Sequence, residues 1–152
     1  MGRIRAEPGA PNVIPGRVVL SVEVRDLDAA RIEAVFERIR ARAREIARVR
    51  GTRIEFRDLE ATAAPALTDP RIQRIIGAAA HELGLTSMAM PSGAGHDAQD
   101  IARIAPIGMI FVPSVGGISH SPREYTAPAD IANGINVLMH TVLSIDAGKL
   151  DR

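Results

Sequence analysis

Two glycine-bearing loops, Ser92-Gly93-Ala94-Gly95-His96-Asp97 and Gly116-Gly117-Ile118-Ser119-His120-Ser121-Pro122-Arg123-Glu124, flank one apolar run, Gly108-Met109-Ile110-Phe111-Val112. An unbroken run of this length predicts a strand buried on both faces. His120 then falls just past the carboxyl end of a central strand, where open α/β sheets gather their ligands. An α/β fold is the expectation that follows.

The flanking sequence supplies the other layers. Residues 17–25 alternate, with Val18, Leu20, Val22 and Val24 on one face and Ser21, Glu23 and Arg25 on the other, which predicts a half-buried strand. Asp28 can cap a helix in which Ile32, Val35, Phe36, Ile39, Ala43 and Ile46 share a stripe, and Gly51 stands where that helix should stop. Residues 52–59 read as a second strand, which makes a β-α-β half-unit. After a linker-like stretch, Asp69-Pro70 opens a helix to about Leu83, because proline fits the first turn. A short helix to about Ile104 precedes the apolar run. Thr126 and Pro128 begin a last helix with Ile131, Ile135, Leu138, Val142 and Ile145 facing inward. Two regions are expected, residues 1–61 and 62–152. Neither is expected to be complete, since the first has few strands to shield its sheet and the second has one strand for three helices.

Composition narrows the function classes. The chain has no cysteine, so disulfides and thiolate metal sites are excluded and any zinc must use histidine and carboxylate ligands. Lys+Arg 19 against Asp+Glu 18 leaves a net charge of +1, which does not point to nucleic acid. The arginine-rich run 38–44 is bracketed by Glu37 and Glu45 and reads as a solvated helix face. No apolar run reaches the roughly 20 residues of a membrane span, and the first residues lack the apolar core of a signal peptide. A cytoplasmic protein without a membrane partner is the expectation. A serine-hydrolase reading lacks a Gly-x-Ser-x-Gly elbow. His81 and His140 fall within predicted helices, away from the loops.

The two loops resemble the carboxyl-terminal part of the dinuclear-zinc amidohydrolases that cleave N-carbamoyl amino acids. These comprise N-carbamoyl-L-amino-acid hydrolases, β-ureidopropionases and allantoate amidohydrolases, which share an architecture with aminoacylases and zinc aminopeptidases. The resemblance runs over nearly the whole chain. It implies that residues 1–61 are the second half of an α+β lid and dimerisation domain, and that residues 62–152 are the carboxyl-terminal part of a zinc-peptidase-like α/β domain. The His-x-Asp segment, the paired glutamates that include the general base, and a further histidine are expected upstream of Met1.

The same resemblance assigns roles. His120 corresponds to the family's carboxyl-terminal metal ligand, and a neutral imidazole held by Gly116, Gly117 and Pro122 suits zinc. Gly95 and His96 correspond to a substrate-contacting loop, where a glycine lets backbone approach a ligand closely. Asn12 and Arg25 correspond to a carboxylate clamp, the guanidinium gripping with two parallel hydrogen bonds and the amide adding a third. Two metals, zinc or else manganese or cobalt, are implied per intact active site, and this chain supplies one ligand to them. The implied substrate is a small carboxylate bearing a carbamoyl or ureido group. The implied partners are a second copy through the lid and an amino-terminal partner chain. The chain alone is expected to be inactive. A reading from another class is a non-catalytic remnant, kept as a dimerisation or binding module.

Overall fold

The computed structural model describes residues 2–59 and 64–150 of the chain. It mixes helix and sheet and divides into two compact units, Met1–Pro65 and Ala66–Arg152. The boundary expected at residues 61 and 62 falls outside the described residues.

The first unit begins with a strand that the sequence reading passed over. β1 (Arg3–Glu7) pairs antiparallel with β2 (Arg17–Ser21), in a register that sets Arg3 opposite Ser21, Arg5 opposite Val19 and Glu7 opposite Arg17. Its signal was present, since Arg3, Arg5 and Glu7 alternate with Ile4 and Ala6. Glu7 forms ion pairs with Arg5 at 3.3 Å and with Arg17 across the ladder at 3.6 Å. β2 stops at Ser21 and not at Arg25, because β1 offers no residue to pair with Val22 and beyond. The valine and leucine face expected to be buried is half open, with Val18 and Leu20 each 49% exposed.

α1 (Ala29–Arg50) follows the expected stripe. The Asp28 carboxylate accepts from Ala30 N at 2.8 Å, and Gly51 closes the helix in the left-handed region at φ 63°. Ala43 is buried, and Ile32, Phe36 and Ile39 are half-buried, while Val35 and Ile46 stand exposed at the edge of the stripe. Within the arginine run, Arg40 bonds Glu33 and Glu37 and lies 5.7 Å from the Phe36 ring centroid. The strand expected at 52–59 does not form. These residues are exposed and belong to no ladder, since β1 and β2 pair only with each other.

The second unit holds α2 (Pro70–Glu82), α3 (Ala98–Ile101) and α4 (Pro128–Ser144), with α4 running on into a wider turn, Ile145–Lys149. Asp69 caps α2 by accepting from Arg71 N at 2.7 Å, and Pro70 takes the first-turn position. The core lies where α2 meets α4: Ala79, Ala80 and Val137 are buried, with Ile76, Leu83, Leu85 and Ile110 packed around them.

The apolar run 108–112 is not a strand. Among the described residues it has no ladder partner, and a lone segment cannot satisfy its backbone as a strand does. Helices clasp it instead. A Cβ on Gly108 would stand 2.2 Å from Ile72 Cγ2 of α2, and a Cβ on Gly134 of α4 would stand 2.4 Å from Val112 Cγ1. Asp69 N donates to Ile107 O at 2.8 Å and ties the run to the start of α2.

The facing of α4 also differs from expectation. Ile131, Ile135, Leu138 and Val142 are exposed, and the buried side carries Val137 and Thr141. Close approach to the run requires small residues such as Gly134, so the bulkier stripe turns outward. Ile145 is half-buried. Among the described residues, no helix is long and apolar enough to cross a membrane.

Candidate functional site

Asn12 is exposed in the connection between β1 and β2. Pro8, Pro11 and Pro15 cannot donate to a ladder, which keeps these residues out of the sheet, and Gly16 N closes the connection on Glu7 O at 2.9 Å. Arg25 lies past the end of β2. Its Nε donates to Glu23 Oε1 at 2.8 Å, and Nη2 stands 2.8 Å from the same oxygen. The guanidinium hydrogen bond holds the Glu23 carboxyl below its usual range, and Glu23 raises Arg25 in return.

Gly95 and His96 belong to the second unit. His96 is held through both its ring and its backbone. Its Nε2 stands 2.7 Å from Ser92 Oγ, which also accepts from Ala94 N at 3.2 Å. His96 N donates to Gln99 Oε1 at 3.0 Å, and Gln99 N donates back to His96 O at 2.9 Å. The imidazole meets Phe111 edge to face, with centroids 5.7 Å apart and planes at 62°. Gly95 is outside the left-handed region, and a Cβ there would make an ordinary 3.6 Å contact with Gln99 Oε1. Nothing within the loop itself demands glycine at that position.

His120 sits on a loop closed at its base by Val115 N donating to Tyr125 O at 2.8 Å. Gly116 and Gly117 take left-handed conformations at φ 69° and 65°, and Ser114 Oγ donates to Ile118 O at 2.5 Å. His120 itself adopts φ 54°, the one non-glycine residue with positive φ among the described residues. Its N–H donates to Glu124 Oε2 at 2.9 Å, and Glu124 N donates to Ser121 O at 2.9 Å. The backbone is fixed by hydrogen bonds on both sides, while the imidazole is exposed.

The structure thus gathers the sequence-predicted residues in two groups. Asn12 and Arg25 lie in the first unit; Gly95, His96 and His120 lie in the second. Both histidine loops are anchored to the run 108–112, one through Phe111 and the other by direct continuation of the chain. A single imidazole does not make a zinc site, which takes three or four protein ligands. Among the described residues, no three His, Cys, Asp or Glu side chains converge on a point that could hold a metal ion. The donor set present does not by itself fit a dinuclear metal centre. His81 is exposed and His140 half-buried.

Sequence reasoning gave no role to Ser92, Phe111 or Glu124, although each fixes a histidine or its backbone. The signal for Ser92 was its position four residues before His96, with two glycines between them that let the chain fold back.

The profile of Peptidase family M20/M25/M40 matches residues 4–144. The chain is similar to a ureidoglycolate hydrolase of Arabidopsis thaliana, with 40% identity over 96% of this chain and 31% of that protein. It is similar also to an N-carbamoyl-L-amino acid amidohydrolase of Geobacillus stearothermophilus, with 40% identity over 98% of this chain and 36% of that protein. Its structure matches the crystal structure of an amidase of the hydantoinase/carbamoylase family from Burkholderia multivorans, with a TM-score of 0.85 and 36% identity, over 94% of this chain and 34% of that one. The chain spans about a third of the length of each of these proteins.

Proposed function

The chain belongs to Peptidase family M20/M25/M40, and from that premise we propose that it is the carboxyl-terminal part of a hydrolase of linear C–N bonds in small carboxylates bearing a carbamoyl or ureido group. N-carbamoyl amino acids and allantoate are the substrates proposed. The observation that carries this reading is the loop around His120, a hydrogen-bonded left-handed turn that presents an imidazole, in a chain 40% identical to hydrolases named for carbamoyl and ureido substrates.

Within this reading the chain's own residues divide the work. His120 is one ligand of a two-metal centre whose remaining ligands lie in other parts of the intact protein. The family is in general metal-dependent, and zinc, with manganese or cobalt as substitutes, is the metal proposed. Gly95 and His96 wall the substrate pocket. The absence of any internal reason for glycine at position 95 supports close approach by a ligand there. Asn12 and Arg25 hold the substrate carboxylate. Arg25 already grips a carboxylate, that of Glu23, so substrate would take the place of Glu23 on the guanidinium. The first unit is proposed as the lid through which two copies associate.

The experiment is hydrolysis of an N-carbamoyl amino acid and of allantoate by this chain co-expressed with the amino-terminal two-thirds of a relative. Turnover that disappears with His120→Ala, in a complex that still assembles, is the expected result. An assembled, metal-loaded complex that hydrolyses neither substrate, or one whose turnover survives His120→Ala, overturns the reading.

A further inference from the structure

Ser92 carries a hydroxyl with two neighbours, and together they fix where its proton goes. Ala94 N–H donates to Oγ at 3.2 Å and occupies one lone pair. The remaining contact is His96 Nε2 at 2.7 Å. If Nε2 carried a proton and donated to Oγ, the hydroxyl would accept twice and its own hydrogen would be left to solvent, with no acceptor among the described residues. If Oγ donates to Nε2, the hydroxyl hydrogen and the Nε2 lone pair are both used within the loop, and Nδ1–H is left to be offered outward. The neutral imidazole then carries its proton on Nδ1, since the hydrogen bond at one ring nitrogen decides the state of the other.

We propose that Ser92 is a positioning residue for His96: its hydroxyl donates to Nε2 and sets the ring in the tautomer with Nδ1–H, which becomes the donor that the ring offers to a carbonyl or carboxylate oxygen of the substrate. Three further contacts hold that aim. Phe111 packs edge to face against the ring, Gln99 Oε1 accepts from His96 N, and Gln99 N returns a hydrogen bond to His96 O. The imidazole is half-buried, so its orientation is set by these neighbours more than by solvent. Imidazole in water prefers the proton on Nε2, so the tautomer proposed here is the one that an unrestrained ring would populate less. The ligand half of the inference rests on the reading of this loop as a substrate wall; the tautomer half does not.

The two halves are tested separately. Nitrogen-15 NMR of the chain, at a pH where its imidazoles are neutral, reports which nitrogen of His96 is protonated. Nδ1–H is expected in the unmodified chain, loss of that preference in Ser92→Ala, and its return in Ser92→Thr, which restores the hydroxyl. Unchanged signals from His81 and His140 show that the variants are folded. A His96 ring protonated on Nε2 in the unmodified chain, or one indifferent to Ser92→Ala, overturns the proposal. In the co-expressed complex, Ser92→Ala should lower kcat/KM about tenfold, by analogy with the loss when the hydrogen-bond partner of a metal-bound imidazole is removed, and Ser92→Thr should recover most of it. A tautomer that responds to Ser92→Ala while kcat/KM does not would keep the Ser92–His96 device and remove His96 from the substrate pocket.

Discussion

Gly134 of α4 lies so near Val112 that a methyl group on its Cα would stand 2.4 Å from Val112 Cγ1. Gly134→Ala should therefore destabilise the second unit by about 1–3 kcal/mol, the usual cost of overpacking. Gly77 of α2 is the control, because nothing lies within 4 Å of the Cβ it would gain. Gly77→Ala should stabilise by about 0.5–1 kcal/mol, the helical preference of alanine over glycine. Chemical denaturation midpoints of the two variants should move in opposite directions; a shift in the same direction would mean that the clasp yields freely.

His120 holds a left-handed backbone that disfavours any residue with a Cβ. His120→Gly and His120→Ala both remove the imidazole, and only glycine relieves the backbone. The glycine variant should be the more stable of the two by about 1 kcal/mol, once the extra entropy that glycine loses on folding is set against the relief. Thermal melts compare them directly, and an alanine variant of equal or greater stability would show that the turn relaxes on its own.

Asp69 is held down to a pKa of about 2, from 3.8, chiefly by its hydrogen bond from the Arg71 side chain. A carboxyl depressed in the folded state stabilises above its unfolded pKa and loses that contribution as pH falls through the folded value. The second unit should therefore lose stability between pH 3.8 and about 2 through this group. Asp69→Asn keeps a side-chain oxygen to cap α2 but has no titrating group. Its melting temperature should be lower near neutrality and should fall less on acidification across that window. Parallel pH profiles for the two proteins would remove Asp69 from the acid response.

The outward face of α4 leaves Ile135, Leu138 and Val142 at 59%, 53% and 55% exposure. An apolar helix face this open is more than a folded monomer ordinarily shows. The chain on its own should bind an environment-sensitive apolar dye and self-associate in size-exclusion chromatography. Leu138→Glu should lower dye fluorescence without lowering the melting temperature. A sharply melting monomer that ignores the dye would contradict this.

Arg25→Lys keeps the charge and loses the planar fork, so a two-point grip on a carboxylate becomes one-point. In the co-expressed complex it should reduce kcat/KM for an N-carbamoyl amino acid by the equivalent of about 1.5–3 kcal/mol, the worth of a charged hydrogen bond. Circular dichroism should be unchanged, because Arg25 is exposed and lies outside the ladder. Unaltered kinetics would remove Arg25 from the carboxylate clamp.

Helix ends were the most legible part of the fold. Asp28, Gly51, Asp69 and Pro70 act within a few residues of themselves, and all four do what their local chemistry implies. Strands were harder, because a strand exists by virtue of a partner. Residues 52–59 and 108–112 carry strand-like patterns and find no ladder, whereas Arg3–Glu7 is paired because β2 lies opposite it. For α4, apolar residues occur on several sides, so periodicity could not choose among them, and the close approach of Val112 to Gly134 chose the small side. At the site, the histidines and glycines were visible as motifs. Phe111 and Glu124 were not, since their contribution is a distance created by folding, and Ser92 was marked only by its spacing from His96.

The run between the two loops is pinned at both ends, Gly108 over Ile72 and Val112 against Gly134, and its length is thereby a constant of the unit. Deleting or inserting one residue between those two points would leave one glycine facing the wrong neighbour, however apolar the altered segment remained. The loop tips beyond the run are under no such restriction. Variation in length should therefore accumulate at the tips and be excluded from the bar between them, which would act as a ruler setting the separation of the two histidine loops.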